Sequence, residues 1–131
     1  MLSSEQSAGT LLASAARTAD AYSDPMHNDK RYKGIIIFFN VTLDPSSAAV
    51  TPKIEMYDPA TGEWEAYMSG TAIDTVDTDT QWIIYPMYKL DNTEINLTDE
   101  SPVPLPLLWR LFMDVANSNS LTYSVGYQYL P

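Results

Sequence analysis

The chain of 131 residues contains 17 acidic and seven basic residues, so its net charge near neutral pH is −10. This length fits one domain with a hydrophobic core, and the absence of cysteine leaves no role for disulfides. The acidity argues against nucleic acid as a direct partner, because phosphate binding needs clustered lysine and arginine. No apolar run approaches the ~20 residues of a membrane span, and the N-terminus lacks the features of a signal peptide. We therefore expect a protein made in the cytoplasm that binds neither nucleic acid nor a membrane.

The beginning of the chain predicts an arm rather than a packed unit. Residues 1–10 are small and polar, which is typical of a free terminus. Residues 11–22 are rich in alanine, serine and threonine and are predicted to be extended, with a helix as the alternative. Residues 23–29 form a polar loop around Pro25. We expect residues 1–24 to be an N-terminal arm or first extended segment, and residues 25–131 to be a single β-sandwich domain.

The stretch from Lys33 to Thr42 predicts the strand around which the domain is built. It contains the longest apolar run of the chain, made of β-branched and aromatic residues that favour strands. One face of this strand is apolar throughout and comprises Ile35, Ile37, Phe39 and Val41. The other face is apolar at Ile36 and Phe38 and then becomes polar. We expect a central strand whose apolar face contributes to the core.

Residues 51–57 and 63–68 alternate between apolar and polar side chains and predict a β-hairpin. Between them, Asp58-Pro-Ala-Thr-Gly62 has proline and glycine placed for a tight reversal. On the second strand, the alternation predicts an inward face and an outward face. The inward residues are Trp64, Ala66 and Met68, and the outward residues are Glu63 and Glu65.

The rest of the chain predicts three further strands joined by polar connections. Residues 73–80 are an acidic loop, and residues 81–85 are a strand that ends at Pro86. Residues 89–106 form a long connection, of a length that is usually functional or contact-making. Residues 107–115 and 121–130 alternate as strands, the second with Leu121, Tyr123, Val125, Tyr127 and Tyr129 on one face. Short strands at this spacing predict an all-β fold, an antiparallel β-sandwich of the jelly-roll type, with a small β-barrel as the alternative.

Few residue patterns support catalysis, so we expect a protein that is not an enzyme and uses no cofactor. The only histidine, His27, lies in the polar loop, and no nucleophile or orienting acid stands at a spacing that suggests a catalytic triad. Asp74, Asp77 and Asp79 are weak candidates for a calcium site. Their loop lacks the glycine and the terminal glutamate of a calcium-loop signature.

The three tryptophans and nine tyrosines allow two interpretations. Trp64, Trp82 and Trp109 lie on apolar strand faces, which favours core packing over an exposed platform that stacks sugars. The tyrosine row on residues 121–130 is compatible with the core or with a subunit contact, because tyrosine is enriched at interfaces.

Several stretches, in order along the chain, resemble a family of small virion-associated proteins of tailed bacteriophages. They are Ala13-Ser-Ala-Ala-Arg-Thr18, Lys33-Gly34 with Phe38-Phe-Asn-Val-Thr42, Thr51-Pro-Lys-Ile-Glu55, Asp58-Pro-Ala-Thr-Gly-Glu-Trp64, Tyr85-Pro86, Leu105-Pro106 with Trp109-Arg110, and Thr122-Tyr-Ser-Val-Gly126. None of them is a catalytic signature, and their specificity lies in the set. The chain departs from the pattern at Pro106-Leu-Leu108, where many relatives have an arginine after the proline.

The resemblance implies a structural protein of the phage head, a capsid decoration or cement protein of the β-sandwich type. It implies the major capsid protein and sister subunits as partners, with a trimer favoured, on the capsid surface of a virion assembled in the host cytoplasm. The predicted interface comprises Leu11, Leu12, Arg17, Tyr22, Pro102, Pro104, Tyr123, Tyr127 and Tyr129. A tail or baseplate component and a carbohydrate-binding β-sandwich module are the alternatives.

Overall fold

The computed structural model describes residues 7–74, 76–86 and 99–131, with the backbone alone at residues 77–79 and 99–100. The strands in these ranges are β1 (Ala8–Arg17), β2 (Ala21–Tyr22), β3 (Met26–His27), β4 (Gly34–Leu43), β5 (Val50–Asp58), β6 (Glu63–Ser69), β7 (Asp77–Ile84), β8 (Asp99–Ser101), β9 (Leu108–Val115) and β10 (Leu121–Leu130). No helix in the described ranges is long and apolar enough to cross a membrane.

The strands form two sheets that pack against each other, so the predicted all-β sandwich is confirmed. The first sheet has the strand order β1-β10-β4-β7-β8. The second has the order β2-β9-β5-β6, and β3 also pairs with β9. The pair β7 and β8 is parallel, and the other pairs of these strands are antiparallel. Within the described ranges the two sheets do not close into the small barrel that the sequence also allows.

β4 occupies the middle of the first sheet, between β10 and β7, as the sequence predicts. Its predicted inner side chains are at most 2% exposed, namely Ile35, Ile37, Phe39 and Val41. They share one hydrophobic cluster with buried residues of the second sheet, namely Ile54, Trp109, Leu111 and Met113. Each side chain buried in this way contributes about 1.5–3 kcal/mol to the stability of the fold.

The N-terminal segment is part of the sandwich, which corrects the prediction of a free arm. The backbone amide of Tyr129 donates a hydrogen bond to the carbonyl of Ser7 at 2.7 Å, and β1 then pairs with β10. β2 joins the other sheet beside β9. The alanine-rich segment is extended, as predicted, because its pairing partners satisfy its backbone. Residue 24 is therefore not a boundary between an arm and a domain, and residues 1–6 lie outside the described residues.

Two predicted connections contain strand. β7 begins at Asp77, inside the predicted acidic loop, because Asp77 and Thr80 extend the pairing with β4. β8 lies inside the predicted connection of residues 89–106 and pairs with β7. The indole nitrogen of Trp82 donates to the Ser101 hydroxyl at 3.1 Å, which ties the two strands together. Residues 87–98 of the connection lie outside the described residues.

The predicted hairpin is present as β5 and β6, and its turn follows the predicted chemistry. The amide of Gly62 donates to the carbonyl of Asp58 at 2.8 Å, and the amide of Ala60 donates to the Asp58 carboxylate at 2.8 Å. Gly62 has a φ of 76°, a left-handed conformation that favours glycine.

The inward face predicted for the second hairpin strand is wrong at Trp64 and Ala66. Trp64 pairs with Tyr57 and Ala66 pairs with Glu55, so both lie on the outer face of the sheet. A register shift before Met68 then turns that side chain towards the core, against which it packs. The two glutamates of this strand are exposed because β6 lies at the edge of the second sheet.

Gly34 opens β4 where the neighbouring strand comes too close for a side chain. A Cβ atom at this position would lie 2.7 Å from Cδ2 of Tyr85 and closer still to the carbonyl oxygen of Ile84. Because one of these neighbours is backbone, it cannot move aside without displacing β7.

We expect Gly34→Ala to lower the free energy of unfolding by about 2–4 kcal/mol, because the added methyl group overpacks the junction of β4 and β7. Gly126→Ala in β10 is the matched control, since its Cβ would meet the carbonyl oxygen of Gly9 at an ordinary 3.4 Å. We expect that variant to change the stability by less than about 1 kcal/mol. Urea unfolding followed by tryptophan fluorescence measures both, and equal effects would contradict the argument.

Candidate functional site

The outer face of the second sheet carries an ordered set of aromatic and charged side chains and is the candidate functional site. Inner residues of β5 and β9 are buried, so the alternate residues point outwards, away from the first sheet. The outer face comprises Tyr22, His27, Lys53, Glu55, Tyr57, Trp64, Leu108, Arg110, Phe112 and Asp114.

Arg110 lies at the centre of this face and forms an ion pair with Glu55 on the neighbouring strand. Nε of Arg110 lies 2.7 Å from Oε1 of Glu55, and the two side chains are 23% and 15% exposed. The residues are also backbone partners between β9 and β5. At this burial the pair is screened by water less than a surface pair is, so the carboxylate holds the guanidinium in place.

The guanidinium of Arg110 lies between two aromatic rings. Its Cζ atom is 4.2 Å from the ring centre of Tyr22 and 4.6 Å from that of Trp64. Tyr22 stacks on Phe112 at 4.7 Å with an angle of 6° between the rings, and Trp64 contacts Tyr57 at 5.2 Å. These five side chains form one continuous row, which we call the arginine stack. Each cation–π contact contributes about 0.5–2 kcal/mol.

A second ion pair, between Lys53 and Asp114, lies on the same outer face next to Phe112. Nζ of Lys53 lies 2.7 Å from the carboxylate of Asp114, and the two side chains are 33% and 37% exposed. The same ammonium group lies 5.9 Å from the ring centre of Phe112. Both cations of the outer face are thus paired with carboxylates, so this face is close to neutral although the chain carries −10.

A groove of about 370 Å³ opens at the end of the outer face, where β9 begins. We call it the end groove, and its lining residues are Pro25, Met26, His27, Tyr57, Trp64 and Leu108. His27 is the backbone partner of Leu108, which is 36% exposed on the groove. The side chains are largely apolar, so the groove suits a ligand that covers hydrophobic surface.

This arrangement is suited to recognition by contact. Tryptophan, tyrosine and arginine are the residue types that contribute most of the binding energy in protein interfaces. The ion pair and the ring contacts already hold these side chains in place. Little side-chain entropy is therefore lost when a partner binds to them.

The three candidate calcium ligands are not shown to converge. Within the described residues, no three histidine, cysteine, aspartate or glutamate side chains gather as a metal site. Asp74 is exposed, whereas the side chains of Asp77 and Asp79 lie outside the described part of the chain. Asp77 and Asp79 belong to β7 and Asp74 lies before it, so the calcium site stays a prediction.

The predicted interface is corrected at Tyr123, Tyr127 and Tyr129, which are 1%, 3% and 4% exposed and belong to the core. The second sheet covers this face of β10, and Trp109 meets Tyr129 edge-on at 6.3 Å. Arg17 packs against the same core. Its guanidinium lies 4.6 Å from the ring centre of Tyr123 and donates a hydrogen bond to the backbone carbonyl of Tyr123 at 2.8 Å. The three buried tyrosine side chains are therefore not available to another subunit.

The other predicted interface residues lie in different parts of the molecule. Leu11 and Leu12 are half-buried on β1 and pack against the core. Pro102 and Pro104 are exposed in the segment before β9. Tyr22 is 46% exposed and belongs to the arginine stack. Of the predicted interface residues, Tyr22 is the member that joins the candidate site.

Glu55, Trp64 and Arg110 are not among the functional residues predicted from the sequence. A signal exists, because outward positions of β5 and β9 carry opposite charges. Opposite charges on two strands become a pair only when the strands are neighbours in the right register. The alternation along one strand cannot provide that information.

We expect Arg110→Ala to lower the free energy of unfolding by about 2–4 kcal/mol, because Glu55 would stay half-buried without its partner. Arg110→Lys keeps the charge but not the planar stacking, and we expect a loss of about 1–2 kcal/mol. Lys53→Ala is the control, with a loss below about 1 kcal/mol, since its ion pair is more exposed. Chemical denaturation measures all three, and an Arg110 effect no larger than that of Lys53 would refute the central role of the stack.

The buried tyrosine row makes the stability of the fold sensitive to alkaline pH. Burial raises the pKa of Tyr129 from 10.0 to about 12, and burial also raises the pKa of Tyr123 and Tyr127. In the unfolded chain a tyrosine ionises at about pH 10. Between these two values the folded chain holds protons that the unfolded chain has lost, so the stability falls as the pH rises.

We expect the free energy of unfolding to fall above pH 10 and to keep falling towards pH 12, by about 1.4 kcal/mol per pH unit for each tyrosine that stays protonated. Tyr129→Phe removes the ionisable group and should make the slope shallower. Urea unfolding between about pH 9 and about pH 11.5 measures the slopes. The same slope in wild type and Tyr129→Phe would contradict the assignment.

No family model matches the chain, and no curated protein matches it. Among solved structures, the chain is similar to the crystal structure of the Yersinia pseudotuberculosis-derived mitogen YPM, with a TM-score of 0.49 and 11% sequence identity. That similarity covers 93% of this chain and 85% of the other. At this level of similarity the comparison carries no functional argument.

Proposed function

We propose that this chain is a structural protein of a tailed-bacteriophage virion, a capsid decoration or cement protein that binds the outside of the head and stabilises it. It works through surface contacts and not as an enzyme. Its partners are the major capsid protein and sister subunits, with a trimer as the favoured assembly. It is assembled in the host cytoplasm and then resides on the capsid surface.

The observation that carries the proposal is the meeting of distant resembling stretches on one exposed surface. Glu55, Trp64 and Arg110 come from three of these stretches and are joined through the guanidinium of Arg110. Two other stretches meet in the core, where Arg17 stacks on Tyr123. The pair of Arg17 and Tyr123 stabilises the core. Glu55, Trp64 and Arg110 instead lie on the outer face, where a bound partner would contact them.

Tyr22 is the part of the arginine stack best placed to contact the head. It is 46% exposed, yet its ring is held from one side by Phe112 and from another by Arg110. An exposed ring that is already ordered adds apolar contact area at a small entropic cost. We therefore place the head-binding surface on the half of the outer face that contains Tyr22.

Heads of the phage that encodes this chain, prepared without the protein, provide the test. We expect wild type to co-sediment with these heads and Tyr22→Ala to bind about tenfold to hundredfold more weakly, which corresponds to about 1.4–3 kcal/mol. Leu43→Ala is the matched control, because Leu43 is 56% exposed at the end of β4 in the other sheet. We expect this control to bind like wild type.

The outcomes separate the head from the tail. Failure of wild type to bind these heads, together with its recovery on purified tails, would overturn the head assignment in favour of a tail component. Equal losses for Tyr22→Ala and Leu43→Ala would overturn the assignment of the binding face. Thermal melting of each variant shows whether a lost interaction reflects a lost fold.

A carbohydrate-binding module is the second candidate, and the position of Trp64 favours it. Trp64 lies on the surface beside the polar groups of Arg110 and Glu55 and lines the end groove with Tyr57. Aromatic rings in such a groove can stack on the apolar faces of sugars. Quenching of tryptophan emission by soluble oligosaccharides, absent in Trp64→Ala, would support this alternative.

A further inference from the structure

One loop of this acidic chain is basic. Lys30, Arg31 and Lys33 are three of the seven basic residues of the chain, and with Asp29 they give residues 29–33 a net charge of +2. All three basic side chains are exposed, and none of them forms an ion pair with another described residue. We call residues 29–33 the basic loop.

The charge of the chain outside this loop is strongly negative. It comprises 16 acidic and four basic residues. Three of these four cations are engaged within the chain, namely Arg17, Lys53 and Arg110, and Lys89 lies outside the described residues. Most of the molecule therefore repels an acidic surface, whereas the basic loop attracts it. This asymmetry favours one orientation of the molecule on an acidic partner.

The basic loop is held in one backbone conformation. The side chain of Asn28, which is 3% exposed, donates to the carbonyl of Tyr32 at 2.8 Å and accepts from its amide at 2.9 Å. The ring of Tyr32 stacks on buried Tyr129 at 4.9 Å. Arg31 has a φ of 54°, a left-handed conformation that is uncommon outside glycine. The backbone that carries the three cations is therefore ordered before a partner binds.

The basic loop continues the sheet edge on which Tyr22 lies. β2 and β3 pair in turn with β9, and the amide of Asn28 then donates to the carbonyl of Leu107 at 2.8 Å, just before the loop. Tyr22 is the backbone partner of Phe112, five residues from Leu107. At the rise of a β-strand, these five residues span about 17 Å.

The edge from Tyr22 to the basic loop combines positive charge with apolar surface. Its acidic residues are Asp24 and Asp29, and residues 22–33 as a whole still carry a net charge of +1. Leu107 and Leu108 are 46% and 36% exposed at the loop end of this edge. A protein contact of ordinary size, about 800 Å² on each partner, is wide enough to include both Tyr22 and the basic loop.

We propose that the basic loop binds an acidic surface of the phage head, beside the part of the head that contacts Tyr22. Carboxylates of that surface pair with the three cations of the loop, and its apolar side chains cover the two exposed leucines. Charge complementarity selects this occupant, because the loop carries exposed cations that no described carboxylate neutralises. The inference rests on the proposed function and deepens it, by naming the chemistry of the partner and the end of the sandwich that faces it.

Two double variants of equal net charge test the contact in the co-sedimentation assay with heads. Lys30→Gln with Lys33→Gln removes two cations from the loop, and we expect it to bind heads about tenfold or more weakly than wild type. Ser46→Glu with Ser118→Glu is the matched control, which also changes the net charge from −10 to −12. Both serines are exposed and follow the ends of β4 and β9, at the far end of the sandwich from the loop. We expect this control to bind within about threefold of wild type.

The salt dependence of binding provides a second measurement. Added salt screens exposed charges, so we expect wild type to bind heads more weakly as the salt concentration rises. The lysine variant should lose less affinity over the same range, because fewer of its charges contribute to binding. Thermal melting of each variant shows whether the fold is intact.

Equal losses for the two double variants would overturn the inference, since net charge alone would then explain them. A lysine variant that binds heads like wild type, with the same salt dependence, would refute the basic-loop contact and leave the proposed function standing. If that variant instead lost self-association in sedimentation velocity, the loop would belong to a contact between sister subunits. Failure of wild type to bind heads would overturn both the inference and the proposed function.

Discussion

The packing of the inner face of β4 against the second sheet is the constraint on which the rest of the structure depends. This face is buried along its whole length, and β4 has a paired strand on each side. A shift of β4 by one residue would turn the entire apolar face outwards, so its register is strongly specified. The registers of β10 and β7 follow from that of β4, and the shared core then positions β9 and β5 in the second sheet.

The surface site is a consequence of this core. Trp109 and Leu111 are fully buried, so the residue between them, Arg110, has to point outwards. Pairing of β9 with β5 then places Glu55 opposite the guanidinium, and the hairpin brings Trp64 beside it. A contact surface built on paired strands in this way is more rigid than one built on loops. Its two ion pairs balance the charges of Arg110 and Lys53 within this face.

Some features of the fold can be predicted from the alternation along a single strand, and others cannot. The alternation of side chains along a strand correctly predicts the burial of Ile35 and the two faces of β10. The turn after Asp58 is correctly predicted from its local turn chemistry. Alternation divides the side chains of a strand between two faces but does not tell which face is covered. Trp64 was therefore predicted to point inwards, although it lies on the outer face. For the same reason, the alternation allows the tyrosine row to lie either in the core or at an interface. The N-terminal arm was misplaced because small polar residues look alike in a free terminus and in an edge strand.

The sequence by itself determined the all-β class, the central position of residues 33–42 and the hairpin, because these depend on local periodicity and turn geometry. Only the tertiary structure decided that β1 is an edge strand of the first sheet and that Arg17 packs on Tyr123 of the core. It also decided that Arg110 meets Glu55, Trp64 and Tyr22 on one surface. The physical reason is that cross-strand contacts depend on which strands are neighbours and in which register, and both are set by the burial of the whole core at once.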